Sequence, residues 1–422
     1  MEVVPRKRRP YSTLEKLEMK KTLVAAAALA SVSAFAQVTI TGLVDMAVNR
    51  IDYKGNVVTT TGAANGSATS NFTFLISEDL GGGLKADARW EIDPDLANTV
   101  GKTGGTSSTG TTSNVTSFLG NGYSFLGLTG GFGSIKAGSL NYETLAANGD
   151  GNQGLGTAIG SGYRVTSFDA VRAQNSFRYD TPTMSGFTAS YFVSEKNDMQ
   201  VNTLLTGTTG NLVNQTQGRD KNTEMAFSYI NGPLTARYAA LSTEQWGGIS
   251  TVQGTTGNPY TVSTVVKGAG ASFKLNTLSV KYDINQAYSV SFFNQIAKSD
   301  DLIGGRSDNT AGTSVTHYDR KTNGIAASYT TGPSKFLINY QNATNGDSAV
   351  AANGATAGAA KNGLTTKVLG LGLDYSLSKR SVVYARYEKD TDGIGARSIT
   401  GYTAATNNTT YTATAVGVRH SF

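Results

Sequence analysis

The stretch Leu84-Lys85-Ala86-Asp87-Ala88-Arg89-Trp90-Glu91-Ile92 alternates apolar and polar residues without a break, and all four charges fall on one side. A period of two is the signature of a β-strand whose successive side chains point to opposite faces. Four consecutive charges on one face need water there, while the other face can meet an apolar medium. The same alternation recurs along the chain. Val38, Ile40, Val44, Met46 and Val48 are interleaved with Thr39, Thr41, Asp45 and Asn49. Phe177 and Tyr179 are interleaved with Ser176, Arg178 and Asp180, and Val383, Ala385 and Tyr387 with Tyr384, Arg386 and Glu388.

The connections alternate as well. Short ones are read at Leu80–Gly83, Gly130-Gly131, Pro182–Gly186, Asn231-Gly232-Pro233, Gly332-Pro333 and Leu377–Arg380. Between them lie long Gly/Thr/Ser/Asn-rich segments: Asp93–Ser117, Asn141–Ala173, Glu195–Asn222, Thr243–Ser263, Asp300–Thr316 and Asn342–Gly363. Tight turns at one end and long polar loops at the other describe an outer-membrane β-barrel. Closure is required because lipid cannot satisfy a free strand edge. In Thr264–Lys298 two turns compete, and the echo of Tyr375–Ser378 in Tyr282–Asn285 favours Asn285–Tyr288.

Lys20 and Lys21 precede the apolar run Thr22–Phe35, which ends in Ala34-Phe35-Ala36. That is the pattern of a secretory signal peptide. It assigns residues 1–18 to an upstream extension, 19–36 to the signal with Met19 as initiator, and 37–422 to a mature barrel beginning at Gln37. The basic run Arg6–Arg9 falls in the extension. The formal net charge of +6 therefore drops to +2 for residues 37–422, and a nucleic-acid partner loses its support. The 386 residues from Gln37 to Phe422 give about 24 per strand and connection for sixteen strands, against roughly 10 in a spanning strand. The expectation is an all-β transmembrane antiparallel barrel of sixteen strands.

Composition agrees. Charged residues are 16%, and the mean hydropathy of −0.22 suits strands with one lipid face and long polar loops. The 20 Tyr and 16 Phe suit interfacial girdles. With no Cys and only His317 and His420, thiolate metal sites and histidine-based catalysis lack their residues, so neither metal, cofactor nor enzyme is expected. The glycines of Asn148–Gly162 lack the strand–helix context and Lys-Ser/Thr of a phosphate loop. No fixed-length repeat supports a solenoid adhesin.

The chain ends Gly417-Val418-Arg419-His420-Ser421-Phe422, a strand stopping at an aromatic residue. With Ser77–Lys85, Gly127–Gly133, Asn175–Asp180 and Asp374–Ser381, this ending resembles the Gram-negative general porins of the trimeric, β-proteobacterial kind. The resemblance runs over the whole of residues 37–422. It implies a homotrimer in the outer membrane, surrounded by lipid and lipopolysaccharide. It implies passive diffusion of ions and small hydrophilic solutes, and a terminal Phe422 read by the barrel-assembly machinery. A third extracellular loop, here Asn141–Ala173, would fold inward and set the constriction. By parity Lys85, Arg89, Lys136, Arg178 and Asp45 point inward, and Glu143, Asp150 and Asp169 are the loop acids, with Arg164 and Arg172 as loop bases. Lys136 and Arg178 are expected to form much of a basic wall. Asn71, Leu75 and Ser139 stand where many relatives carry bases, which implies a weaker wall. A substrate-specific porin for a sugar, phosphate or small acid is the alternative, and an adhesin or receptor barrel a more distant one.

Overall fold

The structure, a computed structural model, describes residues 37–53, 56–64, 66–94, 122–155, 159–162, 171–199, 217–246, 271–299, 313–345, 349–352, 365–392 and 409–422. The signal segment, Arg164 and Asp169 lie outside the described residues. Almost everything described is antiparallel strand. The first half of the wall holds β1 (Gln37–Tyr53), β2 in two segments (Asn56–Ala64 and Asn71–Gly81), β3 (Leu84–Ile92), β4 (Ser124–Gly130) and β5 (Gly133–Asn141). A helix, α1 (Glu143–Gly151), precedes β6 (Arg172–Asp180), β7 (Phe187–Met199) and β8 (Gln217–Asn231). The second half holds β9 (Leu234–Trp246), β10 (Ala271–Asp283), β11 (Tyr288–Ser299) and β12 (Thr313–Thr331). It is completed by β13 in two segments (Ser334–Asn345 and Ala349–Ala352), β14 (Thr365–Ser376), β15 (Ser381–Asp392) and β16 (Thr409–Ser421).

Each strand pairs with its sequence neighbours, and β1 closes on β16 from Leu43 opposite Ser421 to Tyr53 opposite Tyr411. The two segments of β2 pair with the upper and lower parts of β1, and those of β13 pair with β12, so the closed barrel has sixteen staves. The expected short turns all stand between consecutive strands, including the one at 284–287. In the first, Gly81, Gly82 and Gly83 take φ of 83°, 62° and 80°, a left-handed run that residues with a Cβ resist.

Burial is inverted relative to a water-soluble protein. Ile325 is 62% and Phe227 51% exposed, while Asn339, Glu388 and Glu224 are 0%, 1% and 1% exposed. Apolar side chains face out and polar ones face in, as a lipid-embedded barrel requires. Aromatic rings gather at the short-turn ends, with Phe187 against Tyr229 at 4.4 Å and Tyr288 against Tyr329 at 4.7 Å. The wall height is uneven. β3 to β6 have 9, 7, 9 and 9 residues, whereas β12 has 19. Several strands therefore reach into stretches read from the sequence as loop, such as Glu195–Met199 and Thr313–Thr316. Outside the membrane a polar segment still gains from continuing its neighbour's hydrogen-bond ladder.

Candidate functional site: a chain of charges across the inner wall

The inward side of the wall and the segment after β5 are joined by paired charges. Lys136 on β5 stands directly opposite Arg178 on β6. Two like charges so placed repel. Asp180, two residues along on the same face, lies between them: Lys136 Nζ is 3.1 Å and Arg178 Nε 3.0 Å from its carboxylate. Ser190 donates to the same carboxylate at 2.7 Å. The Arg178 Nη1 then reaches Glu143 at 2.9 Å. Glu143 also lies 3.5 Å from Arg237 of β9, whose Nε is 2.6 Å from Asp150. The sequence-predicted Lys136, Arg178, Glu143 and Asp150 are thus brought into one chain.

The path of the segment after β5 is fixed at both ends by wall carboxylates. The first N–H groups of a helix have no partner within it. In α1 those of Glu143 and Thr144 donate to Glu224 of β8 at 2.6 and 3.0 Å, and the Thr144 hydroxyl donates at 2.7 Å. Farther on, Gly160 and Gly162 N–H donate to Glu388 of β15 at 2.7 and 3.3 Å. Between them Ser291 donates to the Gly151 carbonyl at 2.7 Å, and Asn339 and Gln341 donate to the Ser161 carbonyl at 2.9 and 3.0 Å. Residues 143–155 and 159–162 therefore meet β8, β9, β11, β13 and β15 in turn. The wall makes room for them: a Cβ added at Gly370 of β14 would lie 1.7 Å from the Gly160 carbonyl oxygen. A cavity of about 530 Å³ remains beside the segment, lined by Asp150, Gln153, Lys281 and Lys335 among others.

Other predicted residues fall elsewhere. Arg89 pairs with Glu91 on its own strand and lies over the Tyr123 ring, 5.2 Å from its centre. Burial pushes the Tyr123 phenol above its ordinary range. Just past β3, Asp93 pairs with Arg172 at 3.2 Å, and burial together with Glu91 pushes its carboxyl up. Lys85 is exposed beside the Gly81–Gly83 turn, at the other end of its strand from Glu91. Asp45 is fully buried and apart from the chain of charges: it accepts from Ser67 N–H at 3.0 Å, Ser67 hydroxyl at 2.7 Å, Ala68 N–H at 2.7 Å, and the Tyr384 hydroxyl. It pins the stretch between the two segments of β2. Phe422 packs on Phe72 with ring centres 5.3 Å apart and exchanges backbone hydrogen bonds with Gly42.

Asp180 and Glu388 were read only as polar members of alternating stretches, and Arg237 and Glu224 were not singled out from the sequence. Parity would have marked Arg237, which stands between Ala236 and Tyr238, as inward-facing.

The same architecture and sequence pattern occur in known proteins. The chain is 27% identical over 417 residues to the major outer membrane protein P.IB of Neisseria gonorrhoeae, covering 96% of this chain and all of that protein. With its counterpart from Neisseria lactamica it is 29% identical over 232 residues, 53% of this chain and 59% of that one. Among solved structures, the anion-selective porin from Comamonas acidovorans superposes with a TM-score of 0.62 at 21% identity, covering 92% of this chain and all of that one. The trimer form of OmpT from Vibrio cholerae gives 0.54 at 12% identity over 92% and 99%. A model of the Gram-negative porin family matches residues 22–394, and the closed sixteen-stave barrel agrees with it: the chain belongs to the Gram-negative porins, channels of the outer membrane.

Proposed function

We propose that the narrowest point of this porin lies where residues 143–155 and 159–162 fold inward across the lumen. The observation that carries this reading is the set of bonds from Glu224 and Glu388, wall carboxylates on strands seven staves apart, to backbone N–H groups of one segment. Arg178, Lys136 and Arg237, paired with Glu143 and Asp150, form one charged border of the constriction. Ions and small hydrophilic solutes pass beside these pairs, steered by their local field. Arg89 borders the gap, and Lys85 and Asp45 serve the wall. Asp169 completes the loop's acid set.

The channel is a diffusion pore and catalyses no reaction. Three copies associate through the staves β3–β6, which expose Leu126, Leu128 and Phe177 and include β4, at 7 residues shorter than the roughly 9–11 of a spanning strand. The signal segment is removed between Ala36 and Gln37, Phe422 is read by the barrel-assembly machinery, and the remaining wall meets lipid and lipopolysaccharide. Liposome swelling tests the diffusion reading. Influx of neutral sugars should rise in proportion to concentration and fall with solute size. Saturation at millimolar concentration for one solute class would establish the substrate-specific alternative instead.

A further inference from the structure

We infer that the cavity between the inward segment and the short-turn end of β10–β13 is a weak binding subsite for sugar acids, solutes that carry a carboxylate on a polyhydroxy frame. The inference rests on the channel reading and deepens it, naming a solute class and the place where that solute pauses.

The cavity has a volume of about 530 Å³, within the roughly 300–1,000 Å³ of small-molecule sites. On one side stand Gly149, Asp150, Gln153 and Gly154 of the inward segment, and on the other the turn residues Asn285 and Gln286. Gly149 and Gly154 leave open space where a Cβ would stand.

Two donors border this space without acceptors of their own. Gln153 is only 4% exposed. Ser328 of β12 donates to its Oε1 at 3.5 Å, but its Nε2 is buried with no hydrogen-bond partner. A buried N–H group left unpaired is costly, so an acceptor that enters beside it is favoured. Lys335 of β13 borders the same cavity. The two carboxylates close to it, Asp374 and Asp283, are engaged by other bases. Asp374, directly opposite on β14, is 2.6 Å from Arg386 and 3.3 Å from Arg419. Asp283 pairs with Lys281 at 3.2 Å. An ammonium and an amide N–H on one cavity match the acceptor-only chemistry of a carboxylate.

The rest of the lining differs in kind. Ser328 and Thr330 bring hydroxyls, and Asp150 keeps acceptor capacity beyond its bond to Arg237. Such groups suit alcohol hydroxyls, which both donate and accept. A short fatty acid lacks the hydroxyls, and a neutral sugar lacks the charge. Asp150 also belongs to the chain of charges, so a solute held here stands next to the constriction. Binding is weak, because a pore must release what it holds.

The test uses the full barrel refolded in detergent, titrated with D-glucuronate and followed by saturation-transfer NMR, which reads weak binding. Propionate and glucose should each bind about threefold or more weakly than glucuronate, having lost one set of contacts. Lys335→Gln should weaken glucuronate about fivefold or more, through loss of a charge-assisted contact. Gln153→Gly removes the amide at a residue whose φ is 60°, a conformation that glycine adopts freely, so the segment keeps its path. It should weaken glucuronate about threefold or more. Lys379→Gln, on the short turn at 377–380 away from the cavity, should leave the affinity unchanged. Parent-like affinity in Lys335→Gln or Gln153→Gly overturns the inference. So does equal binding of propionate or glucose, or an equal loss with Lys379→Gln. Absence of current through the parent would instead overturn the channel reading, whereas a conducting barrel with no preference for glucuronate overturns the subsite alone.

Discussion

Replacing Arg237 by alanine removes the wall base that holds Asp150 at 2.6 Å and shares Glu143 at 3.5 Å. Glu143 keeps Arg178, but Asp150 is left without that partner on the lumen side. The groups are partly exposed, Arg237 at 21% and Asp150 at 26%, so solvent screens the pair and the loss in loop anchoring is about 1 kcal/mol. The bonds from Glu224 and Glu388 remain, so the segment stays in place. What changes is the field. A net change of one negative charge about 7 Å from a passing ion alters its energy by roughly 0.6 kcal/mol in water, and salt screening at 0.1 M halves that to about 0.3. Cations gain and anions lose this amount, so the cation-to-anion permeability ratio should rise about threefold. Reversal potentials of the reconstituted channel in a salt gradient measure it. Asp150→Asn should shift the ratio in the opposite direction, and the double variant should return near the parent. A double variant equal to either single one, or no shift with Arg237→Ala, would refute the role of this pair in the field of the channel.

Gly370→Val places side-chain atoms where the Gly160 carbonyl sits, so the segment must leave the wall; the expected outcome is altered conductance with frequent transitions in single-channel records, in a barrel that still refolds. Asp45→Asn weakens a buried carboxylate's bonds to the Ser67–Ala68 stretch and Tyr384, and should cost about 2–3 kcal/mol, read as a lower temperature of barrel unfolding on heat-modifiability gels. Phe422→Ala removes the Phe72 contact and should lower the amount of protein assembled in the outer membrane, while protein refolded in detergent still conducts.

The barrel was legible because a lipid-facing wall imposes a pattern of period two that returns after every long loop. Leu84–Ile92 carries that pattern in nine residues, and the turn at 284–287 could be chosen by its echo elsewhere. The chain of charges was half legible. Parity placed Lys136 and Arg178 on the inner face, but it could not say that they face each other, because register between strands depends on both partners. Asp45 looked like Arg178 by parity alone. What distinguishes them is a stretch 22 residues downstream that folds over Asp45 and buries it. Glu224 and Glu388 act on residues 80 and 228 positions away in sequence, and no local pattern marks such contacts. The helix α1 was also not visible: Glu-Thr-Leu-Ala-Ala-Asn-Gly-Asp-Gly contains two glycines, and its start is held by a carboxylate from another strand.

The most direct measurement is the current through the refolded protein in a planar bilayer. A water-filled porin predicts discrete insertion steps with conductance rising in proportion to salt concentration. A correctly folded barrel that inserts and carries no current would contradict the account.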